Sequence, residues 1–142
     1  MRPIYETEQH LSAEKKLAAF LQEKFNCTFE KLTISERLDY AAVKDGKTKA
    51  FFELKCRTNT MDKYPSAMIS AHKVHAALKA ATETNLPVYL AVQWTDAIGY
   101  TEIKPELYEY KVGGRKDRQD PDDIHLQAYI PINLFKVLTK NS

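Results

Sequence analysis

Two short stretches hold the side chains best suited to chemistry: Leu38-Asp39-Tyr40, and Phe51-Phe52-Glu53-Leu54-Lys55-Cys56-Arg57. On a strand, residues two apart project from one face, so Glu53 and Lys55 point together while Leu54 points into the opposite layer. With Asp39 nearby, two carboxylates offer the hard oxygen ligands that Mg²⁺ takes, its other positions being left to water and a phosphate. The Leu54 carbonyl lies between Glu53 and Lys55 in the chain and could add a third oxygen. An ammonium at Lys55 can orient or help to deprotonate an attacking water and offset the charge of a pentacovalent phosphate. The chemistry that such a set serves is hydrolysis of a phosphodiester. Glu-x-Lys also occurs on exposed strands as a merely solvated pair. Here Ala50, Phe51, Phe52, Leu54 and Cys56 surround it, and a charge in so apolar a strand is costly unless it is paired or metal-bound.

Further polar groups lie on two helical stretches. Glu14 falls three residues after Leu11 and three, four, seven and eleven before Leu17, Ala18, Leu21 and Phe25. That spacing puts it within or beside an apolar stripe, facing the protein, although a stripe-edge glutamate can also snorkel out to water. Lys73, four residues after Ile69, could reach a phosphate over the site or be an ordinary surface lysine. His72 and His75 are three apart but have no evident third metal ligand, and Asp120, Asp122 and Asp123 lack the glycine and terminal glutamate of a calcium loop.

The elements that must position these residues can be read from periodicity and punctuation. Thr7 to Phe25 reads as a helix capped by Thr7. A strand is expected around Cys27–Ile34, and Leu38–Val43 and Lys49–Cys56 flank Asp45-Gly46, a strong hairpin signal. Pro65 and Ser66 open a second helix reaching about Thr84. Val88–Val92 is continuously apolar, as in a central strand covered on both faces. Thr95–Gly99 is expected to turn into a strand at Tyr100–Ile103, residues 113–123 to form an exposed loop, and a strand near Ile124–Ile132 and a short helix near Leu134–Leu138 to close the chain. The order predicts an α/β fold, a mixed sheet with helices packed on it.

The hairpin register is constrained by the chemistry. An unbroken two-residue Asp45-Gly46 loop would put Asp39 and Glu53 on opposite faces. A shared ion therefore predicts a three-residue loop Lys44-Asp45-Gly46, or a bulge that restores the same parity, with Gly46 at positive φ.

At 142 residues the chain is expected to form a single domain, with 44% hydrophobic and 28% charged residues, as in ordinary globular proteins. No apolar run approaches the length of a membrane span, and the first residues lack a secretory signal. Cys27 and Cys56 have no zinc-ligand spacing, and two cysteines suit a reducing cytoplasm. The net charge is only +2, but Lys44 to Lys79 holds eight basic and three acidic residues, leaving thirteen basic and sixteen acidic elsewhere. A locally basic middle could concentrate a polyanion, or be a solvated lysine-rich face.

Taken together, Glu14 in Glu-x-x-Leu-Ala-x-x-Leu, then Asp39, then Glu53-Leu54-Lys55, followed by a helix and an apolar strand, resembles the PD-(D/E)XK nuclease superfamily. The likeness runs through about Val92, and the single compact domain is similar to phage-type and junction-resolving members. Leu38 replaces the proline common before the aspartate, and no Gln-x-x-x-Tyr of the exonuclease-like branch is present. The resemblance implies a restriction-endonuclease-like core (αβββαβ) and Mg²⁺-dependent DNA hydrolysis, with Mn²⁺ as a substitute. Asp39, Glu53 and the Leu54 carbonyl would hold the metal, Lys55 would activate water, Glu14 would be an accessory carboxylate, and Arg57 and Lys73 would contact the nucleic acid. Cutting both strands of a duplex would suit a homodimer, and a phage-encoded protein would act in the host cytoplasm. A binding module without turnover and a structural protein of the same fold are the competing functions.

Overall fold

The structure is a computed structural model that describes residues 8–32, 38–114 and 124–141. The Thr7 cap and the loop from Arg115 to Asp123 lie outside the described residues. The chain runs α1 (Glu8–Phe25), β1 (Thr28–Lys31), β2 (Tyr40–Lys44), β3 (Lys47–Cys56), β4 (Ser66–Ser70), α2 (Ala71–Thr84), β5 (Val88–Gln93), β6 (Ala97–Glu102), β7 (Glu109–Gly114), β8 (Ile124–Pro131) and β9 (Lys136–Lys140). Six strands form one mixed sheet in the order β1-β2-β3-β5-β6-β9, in which β3 and β5 are parallel. The other three form a small antiparallel sheet, β4-β8-β7.

Two apolar layers hold the large sheet. Leu17, Ala18 and Leu21 of α1 pack on Tyr40, Ala42, Ala50, Phe52, Leu54 and Ala91. The opposite face carries Leu90 and Val92 against Ile69 of β4, Val74 of α2, and Ala128 and Ile130 of β8. Leu90 and Val92 thus face one layer and Ala91 the other, so β5 is covered on both sides, as its uninterrupted apolar run predicts.

Three sequence expectations are corrected. The second helix begins at Ala71 rather than at Pro65-Ser66, because Ser66–Ser70 is strand β4, with Ala67 and Ile69 buried and Met68 exposed. That alternation has a period of two, which suits a strand laid over a core. Gly113-Gly114 belongs to β7, not to a loop. A Cβ on Gly113 would come within 2.9 Å of Tyr129 Oη, so this glycine admits the neighbouring strand's tyrosine rather than marking a turn. The closing helix is instead a 3₁₀ turn at Ile132–Leu134 followed by β9.

The β2–β3 hairpin takes the bulge route to the required parity. Its turn has two residues, with Lys44 opposite Lys47, and both Asp45 (φ 53°) and Gly46 (φ 75°) are left-handed. Val43 pairs with Thr48 but Ala42 with Ala50, leaving Lys49 as the extra residue. Beyond the bulge Tyr40 pairs with Phe52, and one step further along the register Asp39 stands opposite Glu53, on the same face. A Cβ on Gly46 would meet nothing within 4 Å, so Gly46→Ala is expected to cost about 1 kcal/mol from backbone conformation alone. Urea unfolding should show that loss; a neutral substitution would mean that the turn has another conformation.

Candidate active site

β3 is the element on which the site is built. Phe52 and Leu54 face α1, so Glu53 and Lys55 face the layer that contains α2. Glu53 is only 1% exposed. Its Oε1 lies 3.3 Å from Lys73 Nζ and 3.8 Å from Lys55 Nζ. Its Oε2 is buried without a hydrogen-bond partner. Burial is the main cause that pushes this carboxyl up to about 7, and the charge of Asp39 adds to it, against the opposing pull of Lys55 and Lys73.

Lys73 reaches Glu53 because of where α2 starts. The Ser70 hydroxyl caps the helix by accepting a hydrogen bond from the His72 N–H at 3.1 Å, which places Lys73 in the first turn. A cation there opposes the helix dipole, and the first turn has no acid to balance it. Its partner comes from the sheet instead. The ordinary surface lysine that the spacing also allowed is therefore set aside.

Asp39 is half-buried just before β2. Its Oδ2 accepts a hydrogen bond from the Leu54 N–H at 2.9 Å, and its carbonyl accepts one from the Leu32 N–H at 2.9 Å. The N–H and C=O of a strand residue point to the same edge. The Leu54 carbonyl is therefore directed toward the side on which Asp39 lies, past the last β2–β3 pair. Two carboxylates, one of them with a bare oxygen, and a main-chain carbonyl make a donor set suited to a small, hard divalent ion with several positions left to water.

Glu14 is placed differently from the two carboxylates. It comes from α1, on the other layer, and its Oε2 is 2.9 Å from Lys31 Nζ, with the glutamate side chain 19% exposed and the lysine 54%. Lys31 in turn lies 4.9 Å from the centre of the Tyr40 ring. Among the described residues no three His, Cys, Asp or Glu converge closely enough to hold one ion. A half-exposed pair of this kind contributes roughly 0–1 kcal/mol, so Glu14→Gln should barely move the melting temperature. It is expected to slow cleavage by no more than about tenfold, because glutamine can still hydrogen-bond a water but offers a cation no charge. Rates unchanged across a magnesium titration would reduce Glu14 to a tie between α1 and β1.

Arg57 is spent partly on the scaffold. Its Nη2 donates to the Met68 carbonyl of β4 at 2.9 Å, and burial lowers its pKa. It links the two sheets and is bonded to neither Asp39 nor Glu53 by that contact. His72 and His75 are exposed on α2. Lys31 escaped sequence reasoning, since a lysine ending a short polar strand looks like any solvated edge residue. Only the pairing of β1 with β2, Lys31 opposite Tyr40, brings it to Glu14.

The fold is restriction-endonuclease-like. The structure is similar to that of Hjc, a Holliday junction resolvase from the archaeal hyperthermophile Archaeoglobus fulgidus, with a TM-score of 0.61 and 14% identity, over 89% of this chain and 90% of that one. Comparison with curated proteins returned no match. A family model described as "Phage putative PDDEXK endonuclease" matches residues 1–138. Nearly the whole chain is covered by that match, and the chain belongs to this phage PDDEXK endonuclease family.

Proposed function

We propose that the protein is a Mg²⁺-dependent deoxyribonuclease that hydrolyses phosphodiester bonds at the Asp39–Glu53–Lys55 site. The observation that carries this reading is Glu53: a carboxylate 1% exposed, with one oxygen unpartnered, opposite a second carboxylate and beside two lysines. A buried charge left half-satisfied costs stability, and a divalent cation would turn that cost into binding. Asp39, Glu53 and the Leu54 carbonyl would hold it. When bound, such an ion polarises the phosphate and lowers the pKa of water.

The remaining roles fall to the chain. Asp39, anchored on the Leu54 N–H, keeps its carboxylate aligned with Glu53 without a search over rotamers. Lys55 projects on the same face as Glu53 and is partly exposed, so its ammonium can orient a water toward the phosphorus and offset the charge that builds on phosphate oxygens. Glu14 would serve as an accessory carboxylate, and Arg57 and Lys73 would supply positive charge to the nucleic-acid backbone.

The test is cleavage of linear, supercoiled, flapped and four-way DNA in Mg²⁺, with Lys55→Ala as the control. Four-way DNA is included because the similar structure is that of a Holliday junction resolvase. Cleavage is expected in Mg²⁺ or Mn²⁺, with binding but little cutting in Ca²⁺, whose looser geometry polarises water less. Lys55→Ala should bind DNA and cut it at least about a hundredfold more slowly, as befits loss of an electrostatic catalyst. Full cleavage in excess chelator would end the metal reading. Binding without cutting by the wild type would leave a binding module, and neither activity would leave a structural protein. Sedimentation during the same work would show whether two copies assemble, as double-strand cutting would require.

A further inference from the structure

Lys73 is closer to the buried carboxylate than the motif lysine is: 3.3 Å against 3.8 Å, both to Glu53 Oε1. The two lysines come from different elements, Lys55 from β3 and Lys73 from the first turn of α2. Each is about one-third exposed, so an ammonium withdrawn from Glu53 has solvent, or a ligand in solvent, to turn to. Glu53 itself has no such freedom at 1% exposure. A divalent ion held by Asp39 and Glu53 would deliver two positive charges to the carboxylate that Lys73 now neutralises. Two cations cannot both keep the full attraction of one carboxylate, and at separations of a few ångströms they repel.

We propose that Lys73 is the stand-in counter-ion of Glu53, and that cation binding releases it to take a phosphate oxygen of DNA. This rests on the metal-dependent reading above. Metal and DNA binding are then coupled through one side chain. In the cation-free protein Lys73 is held by Glu53 and adds little to DNA affinity. With the cation bound, the same ammonium stands over the site and adds one phosphate contact. The coupling is reciprocal, since DNA that engages Lys73 removes a competitor of the ion.

The experiment compares wild type, Lys73→Met and Lys73→Arg at pH 8.5 and again at pH 9.5, the same difference being expected at both. Mn²⁺ binding is measured by calorimetry without DNA. Removing a positive charge beside a cation site should tighten Mn²⁺ binding on the order of five- to tenfold in K73M, and K73R should match wild type. DNA binding is measured with a labelled duplex across a salt series, once in Ca²⁺ and once in chelator. In Ca²⁺, K73M should bind several-fold more weakly, with its salt slope reduced by about one; in chelator it should match wild type.

Mn²⁺ binding that is unchanged or weaker in K73M would overturn the proposal, because it would make Lys73 a clamp that aligns Glu53 for the ion. An equal loss of DNA affinity with and without Ca²⁺ would also overturn it. Should K73M fail to fold by circular dichroism, K73Q removes the same charge and carries the same expectations. A wild type that binds no Mn²⁺ overturns this proposal and the metal-dependent reading together. Coupled binding without DNA cleavage would sink the nuclease reading alone.

Discussion

Replacing Glu53 by glutamine should abolish cleavage, by at least about a thousandfold, while making the cation-free protein more stable at neutral pH. Both effects have one origin, a carboxylate kept where water cannot reach it. The folded protein holds the Glu53 proton up to about pH 7, whereas an ordinary glutamate releases it near 4.5. Between those values the folded state binds more protons than the unfolded one, so stability falls as pH rises. The difference corresponds to about 3 kcal/mol, present below pH 4.5 and lost by the time pH has passed 7. Glutamine does not titrate, and its carbonyl can still accept from Lys73. Part of the gain is lost because its amide N–H groups have no acceptor where Oε2 now sits.

Thermal melts in chelator from pH 5 to pH 8.5 make the measurement. For wild type, the contribution of Glu53 should lower the melting temperature by several degrees across that range, and the Glu53→Gln protein should lack that decline. Mn²⁺ should raise the wild-type transition at pH 8.5 and leave the variant nearly unmoved. A wild-type curve parallel to that of the variant at every pH would show that Glu53 is not a strained buried acid.

Asp39→Ala should be as damaging to cleavage, about a thousandfold or more, but with a different stability signature. Asp39 is half-buried and bonded to the Leu54 N–H, so its loss leaves that donor unmet at a cost of about 1–2 kcal/mol. Against this, the charge that helps to raise the Glu53 pKa is gone, so the Glu53 titration should move down toward the ordinary glutamate range. The two terms oppose each other, and the net change in melting temperature at pH 7 should be small. Plasmid nicking and Mn²⁺ calorimetry test the first part, and the same pH series of melts tests the second. Cleavage within tenfold of wild type would remove Asp39 from the site.

The core of this site was legible because strand alternation is a strong constraint. Glu53 and Lys55 are two apart in an apolar strand, so one face has to carry both, and an ion shared with Asp39 requires a hairpin parity that the Lys49 bulge supplies. Of the two routes to that parity, the three-residue loop and the bulge, the chain takes the bulge, and the sequence does not choose between them because a bulge leaves no mark when the extra residue is a lysine among lysines. The second sheet was harder to see. β4 is five residues long and runs straight into α2, so a helix-like reading of Ser66–Thr84 absorbed it. β7 carries exposed residues along most of its length and ends in two glycines, which look like a solvated loop until β8 pairs with it. Glu14 and Lys73 show the limit of helical periodicity: it puts Glu14 beside an apolar stripe but cannot say which partner waits there, and it misplaces Lys73, because Ile69, from which Lys73 is counted, lies in β4 and not in the helix. For Glu14 it is Lys31 and for Lys73 it is Glu53.

The bulge at Lys49 also restricts how the length of this hairpin can change over time. Inserting or deleting one residue between Tyr40 and Phe52 without a second compensating event reverses the faces of everything beyond it, and Asp39 and Glu53 part company. Two residues gained or lost keep them together. Natural relatives should therefore differ in this segment by even numbers, or by odd numbers only where a bulge has appeared or vanished. Length variation here works as an arithmetic filter, passing changes that leave the turn's sequence unrecognisable and rejecting a single-residue slip that leaves every side chain in the site intact.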